Sequence, residues 1–386
     1  MKKRFRVISV FLCLCLLFGA CAKKPNANNP GTDLEEENKT PEAYKLEALR
    51  PTAYSSIEGL SLEPGATISI IGRHSSNSYW KEVEKGARKA VSDLNELLGY
   101  KGSDEIKLSY SAPEVSDDVD GQVNLLDEEL ARYPAAIGIA TIDSSACKIQ
   151  FDLAAENSIP IVTFDSGNEY QHIAAHISTD NMEAAKTATH KLAEVMEKEG
   201  EVAIFVQDSV STTATQRVQG FLETIKASYP KISVVHVYYM DQLEAMQKTI
   251  SDKKNASLQP GEQGMKPETV TQEDVVRYVL EQFPNLKGVY ATNLETTQLV
   301  GSVLSELKIT DLNFVGFDGG KEQMKLMESN VLDGIILQNP YAMGYATVVA
   351  AIRTTLGLPN ESFVNSGFTW VTTINKEDKE IKPMLY

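Results

Sequence analysis

The sequence predicts an α/β protein built from two doubly wound, parallel-sheet lobes. Apolar runs of strand length recur along the chain and alternate with amphipathic stretches of helix length. Parallel strands need a crossover and become covered on both faces, so this alternation is typical of βαβ units. The alternating region is roughly 320 residues long, more than one hydrophobic core normally holds, and this predicts two lobes.

The predicted elements follow from the position of these runs. A strongly amphipathic helix is predicted over 80–98, and a long polar insertion, rich in Lys, Pro and Gly, over 251–274. The predicted strands lie at residues 67–71, 106–110, 135–140, 161–164, 202–206, 232–237, 288–291, 314–317 and 335–337.

Composition limits the function classes. The 386 residues include 37 Lys and Arg against 53 Asp and Glu, a formal net charge of −16. Such a chain offers no broad surface for neutralising phosphates, which argues against nucleic acid as a partner. With 42% hydrophobic and 23% charged residues, the composition is that of a globular protein.

The first twenty residues are predicted to be an export signal. Four basic residues precede an apolar run over 7–18, which is shorter than the ~20 residues that span a bilayer. The run ends in Phe18-Gly19-Ala20-Cys21, which resembles a bacterial lipobox, although Phe18 stands where that motif usually has Leu. The resemblance implies cleavage before Cys21 and diacylation of its thiol. Cleavage at an ordinary signal-peptidase site is the alternative.

Residues 21–65 are predicted to be a lipidated flexible tether, because they are polar and show little apolar periodicity. Cys13 and Cys15 leave with the signal, so Cys147 is the one cysteine of the folded part and no intramolecular disulfide is expected. Cys147 lies in a helix-like segment at 144–156 without a CxxC partner. This context favours a buried inert thiol over a nucleophile.

Candidate ligand residues follow the predicted strands, because open parallel sheets bind ligands at the carboxyl ends of their strands. The set combines aromatic, amide and carboxylate side chains. Aromatic rings pack on the apolar face of a sugar, and planar amides and carboxylates pair with adjacent hydroxyls. The segments are 73–80, beginning Arg73-His74 and ending Tyr79-Trp80, then Asp165 to Asn168, Thr292-Asn293, Asp318 to Gly320, and Gln338-Asn339.

At these residues the chain resembles the type 1 periplasmic solute-binding proteins, in particular the ribose-binding-protein branch. The resemblance begins near residue 66 and is most specific at four stretches: 76–80 with Gly86-Ala87, 175–181, 217–221 and 315–319. It implies a three-segment hinge near 178–181, 338–340 and 363–367. Lobe 1 is then 66–178 plus 339–365, and lobe 2 is 179–338 plus 366–386.

The resemblance also implies the ligand residues. Family ligand residues map onto Asn77, Tyr79, Trp80, Asp165, Thr215, Arg217, Asn293, Asp318 and Gln338. Two positions depart from the ribose pattern, because Ser166 and Thr215 stand where the family has Arg. Arg73 and His74 are candidates for the missing donors, so ribose itself is not implied.

Structural roles remain as alternatives for several of these residues. Either Tyr79 or Trp80 fits a core position at a helix start, and both Asp165 and Asp318 fit helix caps. Arg217 fits an ion pair with an acidic neighbour equally well. His74 fits a solvent-facing loop position, and Asp180-Asn181 is best explained as the cap of a helix starting near residue 182.

Enzyme signatures are absent where this architecture would place them: there is no GxGxxG, phosphate loop or GxSxG elbow. We therefore expect no catalysis, cofactor or metal; a carbohydrate-acting enzyme is the distant alternative. The prediction is a monomeric, lipid-anchored protein outside the cytoplasm, at the cell surface or in the periplasm. It would capture a monosaccharide for the permease of an ATP-driven importer or, alternatively, for a sensor kinase.

Overall fold

The computed structural model describes residues 39–259 and 263–386. Its strands, in chain order, are β1 Thr67–Ile71, β2 Lys107–Ser111, β3 Ala136–Ile139, β4 Ile161–Phe164, β5 His176–Ser178, β6 Gly200–Val206, β7 Ile232–Tyr239, β8 Leu286–Ala291, β9 Asn313–Phe317, β10 Gly334–Gln338, β11 Phe363–Asn365 and β12 Phe368–Val371. Its α-helices are α1 Pro41–Glu47, α2 Ser78–Leu98, α3 Val119–Leu130, α4 Lys148–Glu156, α5 Asn181–Val195, α6 Thr212–Ser228, α7 Leu243–Ala256, α8 Gln272–Gln282, α9 Leu294–Leu307, α10 Lys321–Glu328 and α11 Pro340–Thr355.

The strands form two six-stranded sheets, and the predicted α/β class with two parallel-sheet lobes is confirmed. The first sheet has the order β2-β1-β3-β4-β5-β11, and the second has the order β7-β6-β8-β9-β10-β12. We call the first sheet with its helices lobe 1 and the second with its helices lobe 2. All pairings are parallel except that between β10 and β12, which makes β12 an antiparallel edge strand.

The chain passes between the two sheets three times. It leaves the first sheet after β5, returns after β10 through α11, and leaves again in the short segment between β11 and β12. Helix α11 packs against α2 at very short range. A Cβ on Gly86 would lie 1.9 Å from the Tyr341 carbonyl oxygen, so only glycine permits this helix contact.

The core strands form where the sequence concentrates β-branched and aromatic residues. In β4 and β9 nearly every residue is buried, as expected for strands covered on both faces by helices. Helix α2 begins at an N-cap, Asn77, whose side chain accepts a hydrogen bond from the Trp80 backbone N–H (3.0 Å), and it ends at Gly99 in the left-handed conformation. The six residues 72–77 connect the end of β1 to the first turn of α2.

The predicted tether is wrong in its second half. The chain is helical from Pro41, and Leu49 and Tyr54 are buried in the core of lobe 1. Arg50 also forms an antiparallel bridge to Asn365 of β11. The segment is too polar to show periodicity, but its isolated apolar residues cover an otherwise open edge of lobe 1. Residues 1–38, including Cys21, lie outside the described part.

Two further local predictions need correction. Residues 251–256 are not part of an irregular insertion, because α7 continues through Ala256 before the polar stretch begins. Cys147 precedes α4 in the left-handed conformation rather than lying within a helix. Its thiol is buried, and this burial raises its pKa, as expected for an inert cysteine.

Strands β5, β11 and β12, of three or four residues each, are not among the predicted strands. Within residues 39–259 and 263–386, no helix has the length and apolar character required to cross a membrane.

Candidate ligand-binding site

A cavity of about 60 Å³ lies where the strand ends of the two lobes face each other. One water takes up roughly 10–15 Å³ of such space, so the cavity has the capacity of about four to six waters, enough for one small polar solute. Its lining residues are Arg73, Asn77, Tyr79, Trp80, Ser116, Asp117, Asp165, Gln207, Asp208, Thr213, Arg217, Asn293, Leu294, Glu295, Asp318 and Gln338.

Tyr79 and Trp80 form the aromatic wall of this cavity. Their rings meet edge to face at 5.1 Å, and Trp80 also packs edge-on against Phe164 at the end of β4. Both side chains are buried within the core of lobe 1 while lining the cavity. The core and ligand interpretations are therefore compatible, because one face of each ring packs inward and the remainder borders the cleft.

Two buried carboxylates, Asp165 and Asp318, enter the cavity from opposite lobes. Asp165 directly follows β4 and Asp318 directly follows β9, and both have positive φ (53° and 74°). Neither residue caps a helix, so the capping alternative is excluded for both. A non-glycine residue in this region costs roughly 1–3 kcal/mol, and such strain is concentrated at functional sites.

Each carboxylate has one oxygen held by the protein. The Tyr79 hydroxyl donates to Asp165 Oδ1 (2.6 Å), and Gln338 Nε2 (2.9 Å) and the Tyr386 hydroxyl (3.1 Å) donate to Asp318 Oδ1. In the part of the chain that the structure describes, no group donates to Oδ2 of either residue. A ligand hydroxyl that donates to either oxygen would form a charge-assisted hydrogen bond.

Burial raises the pKa of Asp318 to about 6. Arg217 and the hydrogen bonds from Gln338 and Tyr386 counteract this effect, whereas the like charge of Asp165 adds to it. The carboxylate of Asp318 is thus ionised at neutral pH but has no buried ion pair that neutralises it directly. Burial removes water that would otherwise donate hydrogen bonds to the carboxylate of Asp318, and a ligand hydroxyl would take the place of that water.

Arg217 acts with Gln338 as the polar framework of the site. Arg217 donates to Asn181 Oδ1 (2.8 Å), the Thr292 carbonyl (2.6 Å) and Gln338 Oε1 (2.7 Å), and its guanidinium lies over the Phe317 ring. Its hydrogen bonds go to neutral groups, so the ion-pair interpretation does not hold. The residue lines the cavity while fixing the amide that in turn holds Asp318.

Asn77 and Asn293 both cap helices at the cavity. Asn293 Oδ1 accepts from the Thr296 backbone N–H (2.9 Å), which leaves its Nδ2 directed to no acceptor among the described residues. Asn77 Nδ2 donates across the cleft to Glu295 Oε1 (3.3 Å). The two amides thereby combine a capping role with a position on the cavity wall.

The structure does not place Thr215 at the cavity. Thr213 and Arg217 line it, and residues four apart share one face of a helix, whereas Thr215 lies on the other side of α6. Thr215 instead borders a separate surface hollow and donates to the Ser211 carbonyl. His74 is likewise absent from the lining, and its Nδ1 accepts backbone N–H groups of the loop before α2.

Arg73 bridges the two lobes. It forms a 2.8 Å ion pair with Asp208, which follows β6 and also accepts hydrogen bonds from Ser211. Burial opposes ionisation of Asp208, but Arg73 and these hydrogen bonds lower its pKa. Among the described residues, Arg73 uses one of its five N–H donors on Asp208, and it also lines the cavity, so it remains a candidate donor to a ligand.

Asp208, Gln207 and Glu295 were missed by the sequence analysis. Gln207 and Asp208 directly follow β6, so the strand-end criterion applied to that strand would have found them. Glu295 lies two residues after Asn293 and reaches the cleft only because α9 starts there. Across residues 39–259 and 263–386, no three side chains of metal-binding type gather closely enough to hold an ion.

A family model described as a periplasmic binding protein domain matches residues 68–357. The chain belongs to this periplasmic binding protein family. Membership confirms the predicted resemblance, and it confirms that the chain is a binding protein rather than an enzyme. The matched residues include Asp165 and Asp318 and all the residues held by Arg217.

Curated relatives are similar over most of their length. The D-allose-binding periplasmic protein of Escherichia coli is 22% identical over 289 residues, which cover 72% of this chain and 81% of that protein. The ribose import binding protein of the same organism is 22% identical over 292 residues, covering 75% and 85%.

Solved structures show the same architecture. A carbohydrate transporter solute-binding protein from Agrobacterium radiobacter, in complex with D-arabinose, is 28% identical with a TM-score of 0.70, covering 83% of this chain and 99% of that one. A sugar-binding protein from Bacillus halodurans is 25% identical with a TM-score of 0.65, covering 81% and 99%.

We predict that ligand affinity falls as the pH drops below 6. If the ligand binds the ionised form of Asp318, whose pKa is about 6, its Kd rises about tenfold between pH 7.5 and pH 5. Burial lowers the pKa of His176 to about 4, so this histidine stays neutral over that range. Calorimetric titration of the ligand at several pH values measures the effect.

The Asp318→Asn variant is the control, and it should bind weakly with little acid dependence. The same carboxyl affects the stability of the free protein in the opposite direction. Its pKa is raised on folding, so its ionisation costs stability, and that cost appears as the pH rises from about 4 through 6. A wild-type affinity that is constant from pH 5 to 7.5 would contradict the assignment of Asp318 as an ionised acceptor.

Proposed function

We propose that this protein captures one monosaccharide outside the cytoplasm and delivers it to the permease of an ATP-driven importer. The observation that carries the proposal is the pair of buried carboxylates, Asp165 and Asp318, each with an oxygen that receives no protein hydrogen bond in the described part of the chain. The two oxygens belong to different lobes, so a ligand with several hydroxyl donors can engage both.

The remaining walls fit the same ligand. Tyr79 and Trp80 offer ring surface to an apolar sugar face, and Asn293 Nδ2 offers a donor. The small volume of the cavity fits a single small solute better than an oligosaccharide. Relatives named for allose binding, ribose import and arabinose complexes support both the ligand class and the importer partner.

Ribose is not the ligand that we single out. Ser166 is fully buried and lies near the Thr212 hydroxyl, and Thr215 lies outside the cavity, so neither position supplies the charge of the family arginine. The donors of the ribose pattern are therefore missing at these two positions.

A ligand screen tests the proposed function. Thermal shift with pentoses, hexoses, inositols and other polyols should identify at least one monosaccharide that stabilises the protein, by about 4 kcal/mol at a ligand concentration of 1,000 times its Kd. Calorimetry should then show that Asp165→Asn weakens binding about 10- to 150-fold, because a hydrogen bond to a carboxylate contributes about 1.5–3 kcal/mol.

Thr215→Val is the matched control for this screen, because its side chain lies near the site in sequence but outside the cavity. Its affinity should equal that of the wild type. Stabilisation by no monosaccharide, together with stabilisation by a different class of solute, would overturn the proposed ligand class.

We also propose that Cys21 carries the lipid anchor. Cys21→Ser removes the thiol that would accept the lipid, so the variant chain should move from the membrane fraction to the soluble fraction with unchanged ligand affinity. Cys147→Ser is the control, because it removes a thiol that is buried in lobe 1 and should remain in the membrane fraction. A Cys21→Ser variant that still fractionates wholly with membranes would contradict the proposed lipid anchor.

A further inference from the structure

Tyr386 lies between the two lobes, outside the set of residues that line the cavity. Its backbone N–H donates to the Gly319 carbonyl (3.0 Å) and its hydroxyl donates to Asp318 Oδ1 (3.1 Å), both in lobe 2. Its ring packs edge-on against Tyr79 of lobe 1, with 6.2 Å between centroids. The side chain contacts the hydrophobic cores of both lobes.

The two lobes repeat one arrangement at the cavity. Strands β4 and β9 occupy corresponding places in their sheets, and each is followed by an aspartate with positive φ. Asp165 Oδ1 accepts from the Tyr79 hydroxyl, and Asp318 Oδ1 accepts from the Tyr386 hydroxyl. Burial raises the pKa of both tyrosines well above the usual range, so both phenols remain protonated donors at physiological pH.

We propose that Tyr386 is a positioning residue for sugar binding: it holds Asp318 Oδ1 from behind the cavity so that Oδ2 faces the ligand, and it links this carboxylate to the ligand residue Tyr79 in lobe 1. The inference rests on the proposed function of the cavity. Tyr386 acts through Asp318, and it does not itself touch the ligand.

The hydrogen bond from Tyr386 to Asp318 should have a measurable effect on the pKa of Asp318. The groups that face Asp318 are Arg217 from α6, Gln338 from β10, Tyr386, and Asp165 and Tyr79 across the cleft. The hydrogen bond from Tyr386 favours the ionised carboxylate. Burial and the charge of Asp165 raise the pKa of Asp318, and the hydrogen bond from Tyr386 lowers it. Loss of this hydrogen bond should therefore raise the pKa of Asp318.

Tyr386→Phe removes the hydroxyl while keeping the ring between the lobes. We expect affinity for the sugar found by the screen to fall about fivefold at pH 7.5, the effect of one typical hydrogen bond. The acid limb of the binding profile should move up by about 0.5–1 pH unit. The melting temperature should stay close to that of the wild type, because the ring contacts remain.

Tyr100→Phe is the matched control. It deletes a hydroxyl that donates to the Leu62 carbonyl at the same 3.1 Å, remote from the cavity. Its affinity and pH profile should be those of the wild type. In the Asp318→Ala background, Tyr386→Phe should cause little further loss, because the side chain through which it acts is gone.

Carboxyl-carbon NMR titration of the ligand-free protein separates this inference from the proposed function. A higher pKa of Asp318 in Tyr386→Phe supports positioning even if no sugar binds the wild type, in which case the proposed function fails alone. An unchanged pKa of Asp318, or an affinity loss that adds fully to that of Asp318→Ala, would overturn the positioning role.

Discussion

Two like charges buried at opposite walls of one small cavity impose the main constraint on this structure. Asp165 and Asp318 are 7% and 2% exposed. The negative charge of Asp165 contributes to the raised pKa of Asp318. Their ionised state is expensive unless every oxygen finds a donor. The protein supplies donors to Oδ1 of each residue, and under the proposed function a bound sugar supplies donors to both Oδ2 atoms.

The framework that holds these carboxylates is the same framework that joins the lobes. Gln338 ends β10 where the chain returns to lobe 1, and its Oε1 accepts from Arg217 and from Thr179, which follows β5 at the first crossing. Its Nε2 holds Asp318. The buried amide of Gln338 therefore connects two of the three crossings to the carboxylate of Asp318. The Arg73–Asp208 ion pair closes the opposite side of the cleft.

Sequence reasoning found most of the residues that line the cavity, because parallel sheets bring their strand ends to one edge. Asn77, Asp165, Asn293, Asp318 and Gln338 follow strand ends, and the family resemblance added Arg217. The resemblance assigned Thr215 to the site, whereas the structure places it outside the cavity. A motif gives the spacing of residues along the chain but not the side of the helix on which each one lies. Tyr386 gave no signal, since a lone tyrosine far from any predicted strand end shows nothing of a partner 68 residues away. The boundary of the tether was predicted wrongly because isolated apolar residues produce no periodic pattern.

The central claim is that one sugar bridges the two unsatisfied carboxylate oxygens, and a crystal structure of the complex tests it most directly. The measured quantities are the distances from ligand hydroxyl oxygens to Oδ2 of Asp165 and of Asp318. A hydroxyl oxygen is expected at about 2.5–2.7 Å from each Oδ2 atom, the range of charge-assisted hydrogen bonds. A ligand that contacts only one lobe, or that leaves both Oδ2 atoms without a donor, would contradict it.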